Sequence, residues 1–193
     1  MDLKNYVFIR DNLIPINIVS SLIKFSNSLD FTPAYVGGGE KEIRVVDQSI
    51  RNTYAYPLTS PNSSLTHCHR HNHLHYYFST AIREYFEKIN IQDSNPKFLK
   101  IKNIDVLKYK EGGFYKYHVD HFDKEPRTFS CILLLNNDYE GGELCFRYPD
   151  TTKEWAVEKK AGRIVVWPSN FLYPHCVKPV TKGVRYSIVS WAI

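Results

Sequence analysis

From Lys97 onward the chain is a succession of short apolar runs: "FLKIKNIDVLKY", "TFSCILLLN", "GELCFRY", "GRIVVWPS" and "RYSIVSWAI". Gly112, Gly113, Gly141, Gly142, Gly162 and Gly183 mark the turns between them. Runs this short, rich in Val, Ile and aromatic residues and bounded by glycine, read as strands, because branched and ring side chains pack well on a pleated surface. Such a series points to a β-sandwich or jelly roll.

The first half reads differently. "YVFIRDNLI" alternates enough for an opening strand, and Pro15 then begins "PINIVSSLIKFSNSL", whose apolar residues recur at helical spacing. "VGGGEKE" and "YPLTSPNSS" are irregular stretches. A second helix is expected from about Leu74 through "YYFSTAIREYFEKI", with Tyr77, Ile82, Tyr85, Phe86 and Ile89 as its apolar face. A length of 193 residues with 43% hydrophobic content suits one core and is short for two. The expected fold is α+β and mainly β, a single domain in which a strand and helices over 1–96 support a jelly-roll core over 97–193.

No apolar run of about 18 residues exists, and "MDLKNYVFIRDN" lacks the basic and apolar regions of a signal peptide, so a cytoplasmic protein without membrane contact is expected. Cys68, Cys131, Cys145 and Cys176 are scattered without CxxC spacing, which fits reduced, mostly buried thiols. The net charge of +5 comes without any Lys/Arg-rich run. Nucleic acid is therefore not an expected partner.

"YKYHVDHF" sets His118 and Asp120 two residues apart, and on an extended chain those side chains share a face. His175 in "LYPHCVKP" can supply another nitrogen from a later strand. Two His and one carboxylate form the ligand set of non-haem Fe(II) oxygenases, leaving positions open for a bidentate cosubstrate and dioxygen. Ten residues beyond His175 stands Arg185, and Ser187 follows on the same strand face. A guanidinium offers a planar two-pronged match to a carboxylate, so Arg185 suits the distal carboxylate of a 2-oxo dicarboxylic acid, with Ser187 adding a hydroxyl.

These residues resemble the prolyl 4-hydroxylase family of 2-oxoglutarate/Fe(II)-dependent dioxygenases. "LKYKEGGFYKYHVDHF" is similar to that family's Y-x-x-G-x-x-Y-x-x-H-x-D strand. "RTFSCILLLN", "GGELCF", "GRIVVWPS" and "PHCVKPVTKGVRYSIVSW" follow in the family's order. The resemblance covers about Asp105 to Trp191. It implies a double-stranded β-helix (jelly-roll) core, Fe(II) on His118, Asp120 and His175, and 2-oxoglutarate paired with Arg185 and supported by the Tyr109 hydroxyl. Arg127, Tyr115 and Trp191 match residues that meet the substrate peptide or line the mouth of the iron site. The implied reaction couples oxidative decarboxylation of 2-oxoglutarate, with O2, to hydroxylation of a proline-containing peptide or protein, with ascorbate as a reductant. Leu134 is a departure, standing where the family often carries a Tyr or Thr whose hydroxyl reaches the cosubstrate. Ile132, Leu134, Val166 and Trp167 are expected to keep the site apolar, or else to be ordinary core.

Five of the eight histidines fall in "THCHRHNHLH": His67, His69, His71, His73 and His75. On a strand they would share one face. On a helix, His67, His71 and His75 would form an i, i+4 ladder able to grip Zn, Ni or Cu. The run has no carboxylate partner and lies before the strand core, so it reads as the start of a helix outside the catalytic centre. Adventitious metal binding and a recognition role stay open, while His121 reads as a neighbouring or surface residue. The same cofactors acting on another side chain, a free amino acid or a base, and a non-catalytic metal-binding jelly roll, are the competing functional readings.

Overall fold

The computed structural model describes residues 2–37, 45–58, 64–89, 100–122, 126–149 and 151–193. Most of "VGGGEKE", the turn at Pro61 and the boundary expected at 96/97 lie outside them. The described strands, in chain order, are β1 (Phe8–Arg10), β2 (Thr32–Pro33), β3 (Arg51–Asn52), β4 (Tyr54–Pro57), β5 (Ile101–Tyr109), β6 (Phe114–His118) and β7 (Phe129–Leu134). They continue with β8 (Glu140–Gly141), β9 (Leu144–Arg147), β10 (Glu154–Ala156), β11 (Ile164–Pro168), β12 (His175–Val177), β13 (Val180–Lys182) and β14 (Arg185–Ala192). Among the described residues, two α-helices, α1 (Ile16–Asn27) and α2 (Leu65–Ile89), precede β5.

A seven-stranded sheet in the order β1-β11-β7-β14-β5-β4-β2 faces a five-stranded sheet in the order β10-β9-β12-β6-β3, and every pairing is antiparallel. The two-residue period of a strand divides the large sheet's side chains between two cores. Ile104, Val106, Cys131, Leu133, Ile164, Val166 and Ile188 pack outward against Val19 and Leu22 of α1 and Leu74, Phe78, Ala81 and Ile82 of α2. Their alternates Ile132, Leu134, Val165 and Trp167 pack inward with Leu144 and Phe146 of the small sheet. This is the jelly roll with supporting helices that the sequence suggested.

Two expectations need correction. The second helix begins at Leu65, so it contains the whole histidine run instead of starting at its end. Its buried stripe is Leu74, Phe78, Ala81, Ile82, Tyr85 and Phe86, with Tyr77 and Ile89 only half-buried at its margins. The polarity of "THCHRHNH" masks the helical period there, and only the docking of Leu74 and Phe78 on the sheet reveals which face turns inward. Val166 also belongs to the outer core beneath the helices, one residue out of phase with Trp167, so it cannot line a site between the sheets.

The opening segment is tied to the sheet by charge as well as by β1. Asp11 receives Arg163 Nε and Nη2 at 2.8 and 2.9 Å and Lys160 Nζ at 3.0 Å. This fork-to-carboxylate pairing fixes the turn between β1 and α1 against the start of β11. Among the described residues, no helix is long and apolar enough to cross a membrane. Cys131, Cys145 and Cys176 are free and buried, and Cys68 is exposed.

Candidate metal centre and cleft

His118, the last residue of β6, is the direct cross-strand partner of His175, the first residue of β12. Their ring centroids lie 4.3 Å apart. Asp120 follows two residues after His118, where the chain is anchored by His121 N–H donating to the Ser169 carbonyl at 3.0 Å. The three side chains expected on one ion therefore come together: one ligand atom from each lies within 4.8 Å of the others. Asp120 Oδ1 is 3.6 Å from His118 Nε2, and Oδ2 is 3.4 Å from His175 Nε2.

Backbone carbonyls fix which imidazole nitrogen faces the carboxylate. His118 Nδ1 bonds the Lys116 carbonyl at 2.9 Å and His175 Nδ1 bonds the Tyr173 carbonyl at 3.1 Å. Since a carbonyl accepts only, each Nδ1 carries the proton and each Nε2 keeps its lone pair in the neutral ring. Burial, reinforced by His118 and opposed by Asp120, lowers the His175 pKa to about 4, so this ring is neutral near neutral pH. Burial alone would raise the Asp120 carboxyl, but His175, His118 and the Ser130 hydroxyl together hold it well below the usual carboxylate range. Two neutral nitrogens and one carboxylate fit a divalent transition ion with part of its coordination sphere left open.

Ser130 was not singled out in the sequence. Its hydroxyl donates to Asp120 Oδ2 at 2.6 Å, and Ser169 Oγ lies 2.7 Å from it. A signal was present: Ser130 is a polar residue in phase with the inward-facing Ile132 and Leu134. Only the packing shows what it reaches. Trp167 stands edge-on to the His175 ring at 4.9 Å, and Tyr115 stacks on the His118 ring at 3.6 Å and 21°. These contacts immobilise the two imidazoles.

The centre lies in a cleft of about 780 Å³ between the sheets. Tyr109, Tyr115, Arg127, Ile132, Trp167 and Trp191 all line it, while Leu134 is sealed in the core behind. Arg127 lies 3.9 Å over the Trp191 ring, and its Nη1 approaches the Asp120 carbonyl at 3.4 Å. Thus Arg127, expected at the substrate, also braces the Asp120 backbone.

Arg185 opens β14 directly opposite Tyr109, and its guanidinium lies 4.8 Å over that ring. It is fully buried. Its Nη1 donates to Ser187 Oγ at 2.8 Å, whereas Nε and Nη2 are buried with no hydrogen-bond partner. Leaving such donors unpaired is costly, and a carboxylate is their natural complement. Ser187 thus acts on the arginine, holding one prong of its fork. Tyr139, also missed in the sequence, lies beside Arg185, which opposes the upward pull of burial on its phenol. Gly142 completes the surroundings: a Cβ there would sit 3.1 Å from Arg185 Cδ and 2.9 Å from Val180 Cγ2. The second glycine of "GGELCF" therefore makes room for the arginine.

Residues 104–193 match the sequence pattern of the 2OG-Fe(II) oxygenase superfamily. A PKHD-type hydroxylase of Synechococcus sp. (strain CC9902) is 38% identical over 96 residues, which are 48% of this chain and 41% of that protein. This chain spans only about two fifths of such a relative's length. Among solved structures, a prolyl hydroxylase from Trichoplax adhaerens, in complex with a hypoxia inducible factor oxygen degradation domain peptide fragment, superposes with a TM-score of 0.72. It is 18% identical, covering 98% of this chain and 84% of its own. A Pseudomonas putida prolyl-4-hydroxylase superposes at 0.66 with 23% identity, covering 97% and 91% of the two chains. At those identities the superpositions establish a shared fold, and the sequence of its strand core, residues 104–193, is similar to the 2OG-Fe(II) oxygenase superfamily.

Proposed function

We propose that this chain is a 2-oxoglutarate- and Fe(II)-dependent dioxygenase that hydroxylates a prolyl residue, at C4, in a peptide or protein. The observation that carries the reading is the pairing of two features on the inner faces of the sheets. One is the cluster of His118, Asp120 and His175; the other is a buried Arg185 with two unpaired guanidinium nitrogens. Bound at these residues, Fe(II) and 2-oxoglutarate supply the oxidising power, decarboxylation to succinate and CO2 being coupled to hydroxylation of the substrate. The roles of the named residues follow from their positions.

His118 and His175 present neutral Nε2 atoms and Asp120 presents its carboxylate, oriented by Ser130. Arg185, its Nη1 locked by Ser187 and one side closed by Tyr109, would hold the distal carboxylate with its unpaired Nε and Nη2. Trp167 and Ile132 exclude water from the reacting centre, so an unspent oxidant is not quenched. A peptide suits the cleft because aromatic side chains are exposed along it. Tyr35 and Phe122 line it and are 54% and 40% exposed, and Arg51 lies 4.6 Å over Tyr115. Exposed rings at a cleft mouth are natural platforms for an extended chain and for the pyrrolidine ring of proline.

The reading is tested by incubating the full chain with Fe(II), 2-oxoglutarate, ascorbate and proline-rich peptides. Succinate is followed, and hydrolysed peptide is compared with 3- and 4-hydroxyproline standards. Succinate that rises with peptide, together with 4-hydroxyproline, is the expected result. His175→Ala should abolish both products. Arg185→Ala should raise the KM for 2-oxoglutarate by about tenfold or more through loss of the two-pronged contact. Peptide-independent succinate without hydroxyproline would refute the prolyl assignment while leaving the cofactor chemistry intact.

A further inference from the structure

The histidine run is not absorbed by the site described above. It occupies the first half of α2, whose inward stripe packs on the outer face of the large sheet, opposite the cleft. On a helix, residues four apart share a face, so the run contains overlapping pairs 67/71, 69/73 and 71/75. Their environments are not equivalent.

His67 is already engaged at both ring nitrogens: Nε2 lies 3.2 Å from the Tyr56 hydroxyl and Nδ1 lies 2.6 Å from Ser64 Oγ. Its ring also packs edge-on against Phe25 at 5.1 Å, so it serves as a structural link between α2 and the rest of the fold. His71 and His75 hold their rings 6.2 Å apart and turn toward Asn72 and Ser79 at 3.4 and 3.5 Å. The remaining pair differs. The His69 and His73 rings approach to 4.2 Å at a tilt of 54°, and His73 Nδ1 is buried with no hydrogen-bond partner.

We infer that His69 and His73 form a second metal site, taking a divalent borderline cation such as Zn²⁺, Ni²⁺ or Cu²⁺ between two imidazoles one helical turn apart. Metal–imidazole distances of about 2.0–2.1 Å require the two ligating nitrogens to lie roughly 3 Å apart, which rings this close can provide. A neutral imidazole can ligate through either nitrogen, and coordination would give the orphaned His73 ring a partner. His69 is exposed, so water can complete the sphere. The pair has no carboxylate, and nitrogen-only ligation selects against Mg²⁺ and Ca²⁺. Such an ion would clamp one turn of α2 and stabilise the helix that covers the outer core.

The test is calorimetric titration of Ni²⁺ into the full chain. Two sites are expected in the unaltered protein. In a His118→Ala/His175→Ala background, one should remain, and His69→Ala or His73→Ala should weaken it by about tenfold or more. His71→Ala/His75→Ala should leave it unchanged. His69→Ala in the otherwise unaltered chain should reduce the count from two to one, a readout that does not depend on the double variant folding. A single site in the unaltered chain, or a second site indifferent to His69 and His73, would overturn the inference. Both outcomes are independent of whether the cleft hydroxylates proline.

Discussion

At the scale of single residues, the centre depends on side chains that never meet a substrate. Ser130 is one: its 2.6 Å bond to Asp120 orients the carboxylate between two imidazoles. Ser130→Ala should lower Fe(II) affinity by about 10–100-fold with the fold intact, measured by anaerobic titration, because partners that orient metal ligands carry effects of that size. Gly142 is another, with φ of +63° and a missing Cβ that would sit against Arg185. Gly142→Ala combines backbone strain with displacement of the arginine. It should cost about 1–3 kcal/mol of stability in denaturant unfolding and raise the KM for 2-oxoglutarate more than it lowers kcat. His118, Asp120, His175 and Arg185 were all legible as residue types at telling intervals. Ser130, Tyr139 and Gly142 were not, since their importance lies in what stands opposite them on other strands.

At the scale of elements, the short opening strand is held by a charge pair whose pH dependence has a definite sign. The hydrogen bonds from Arg163 hold the Asp11 carboxyl at about 2, below its ordinary 3.8. A pKa depressed on folding gives stability that is fully present above the unfolded value and is lost as pH falls toward the folded one. The Asp11 side chain is 27% exposed, so solvent screening reduces the contribution to about 1–2 kcal/mol. Asp11→Asn should remove that amount above pH 4 and flatten the loss of stability between about pH 4 and 2, as read by unfolding at a series of pH values. The helix α2 teaches a complementary lesson about the element scale. Its C-terminal half announced itself through apolar spacing, while its N-terminal half is almost wholly polar and histidine-rich. Helicity there follows from continuity with a docked helix, a cooperative effect that a local pattern does not contain.

For the molecule as a whole, apolar clusters on both faces of one sheet hold the fold, and the metal centre lies on only one of those faces. Removing metal with a chelator should therefore leave the far-ultraviolet circular dichroism unchanged. Anaerobic Fe(II) at a hundred times its Kd should stabilise the chain by about 2.7 kcal/mol and raise Tm by roughly 5–10 °C; a collapse of secondary structure on chelation would contradict this architecture. By itself the sequence determined the strand-rich core, through branched and aromatic residues between glycine turns. It determined the donor types too, because His, Asp and Arg chemistry does not depend on where the chain places them. The tertiary structure decided everything that needs a partner distant in sequence. The antiparallel register put His175 opposite His118 and Arg185 opposite Tyr109. The strand period sent Val166 outward and Trp167 inward, and burial left Nε and Nη2 of Arg185 and Nδ1 of His73 without partners. Register, facing and burial are properties of pairs of surfaces, and a single chain read in order has only one of each pair in view at a time.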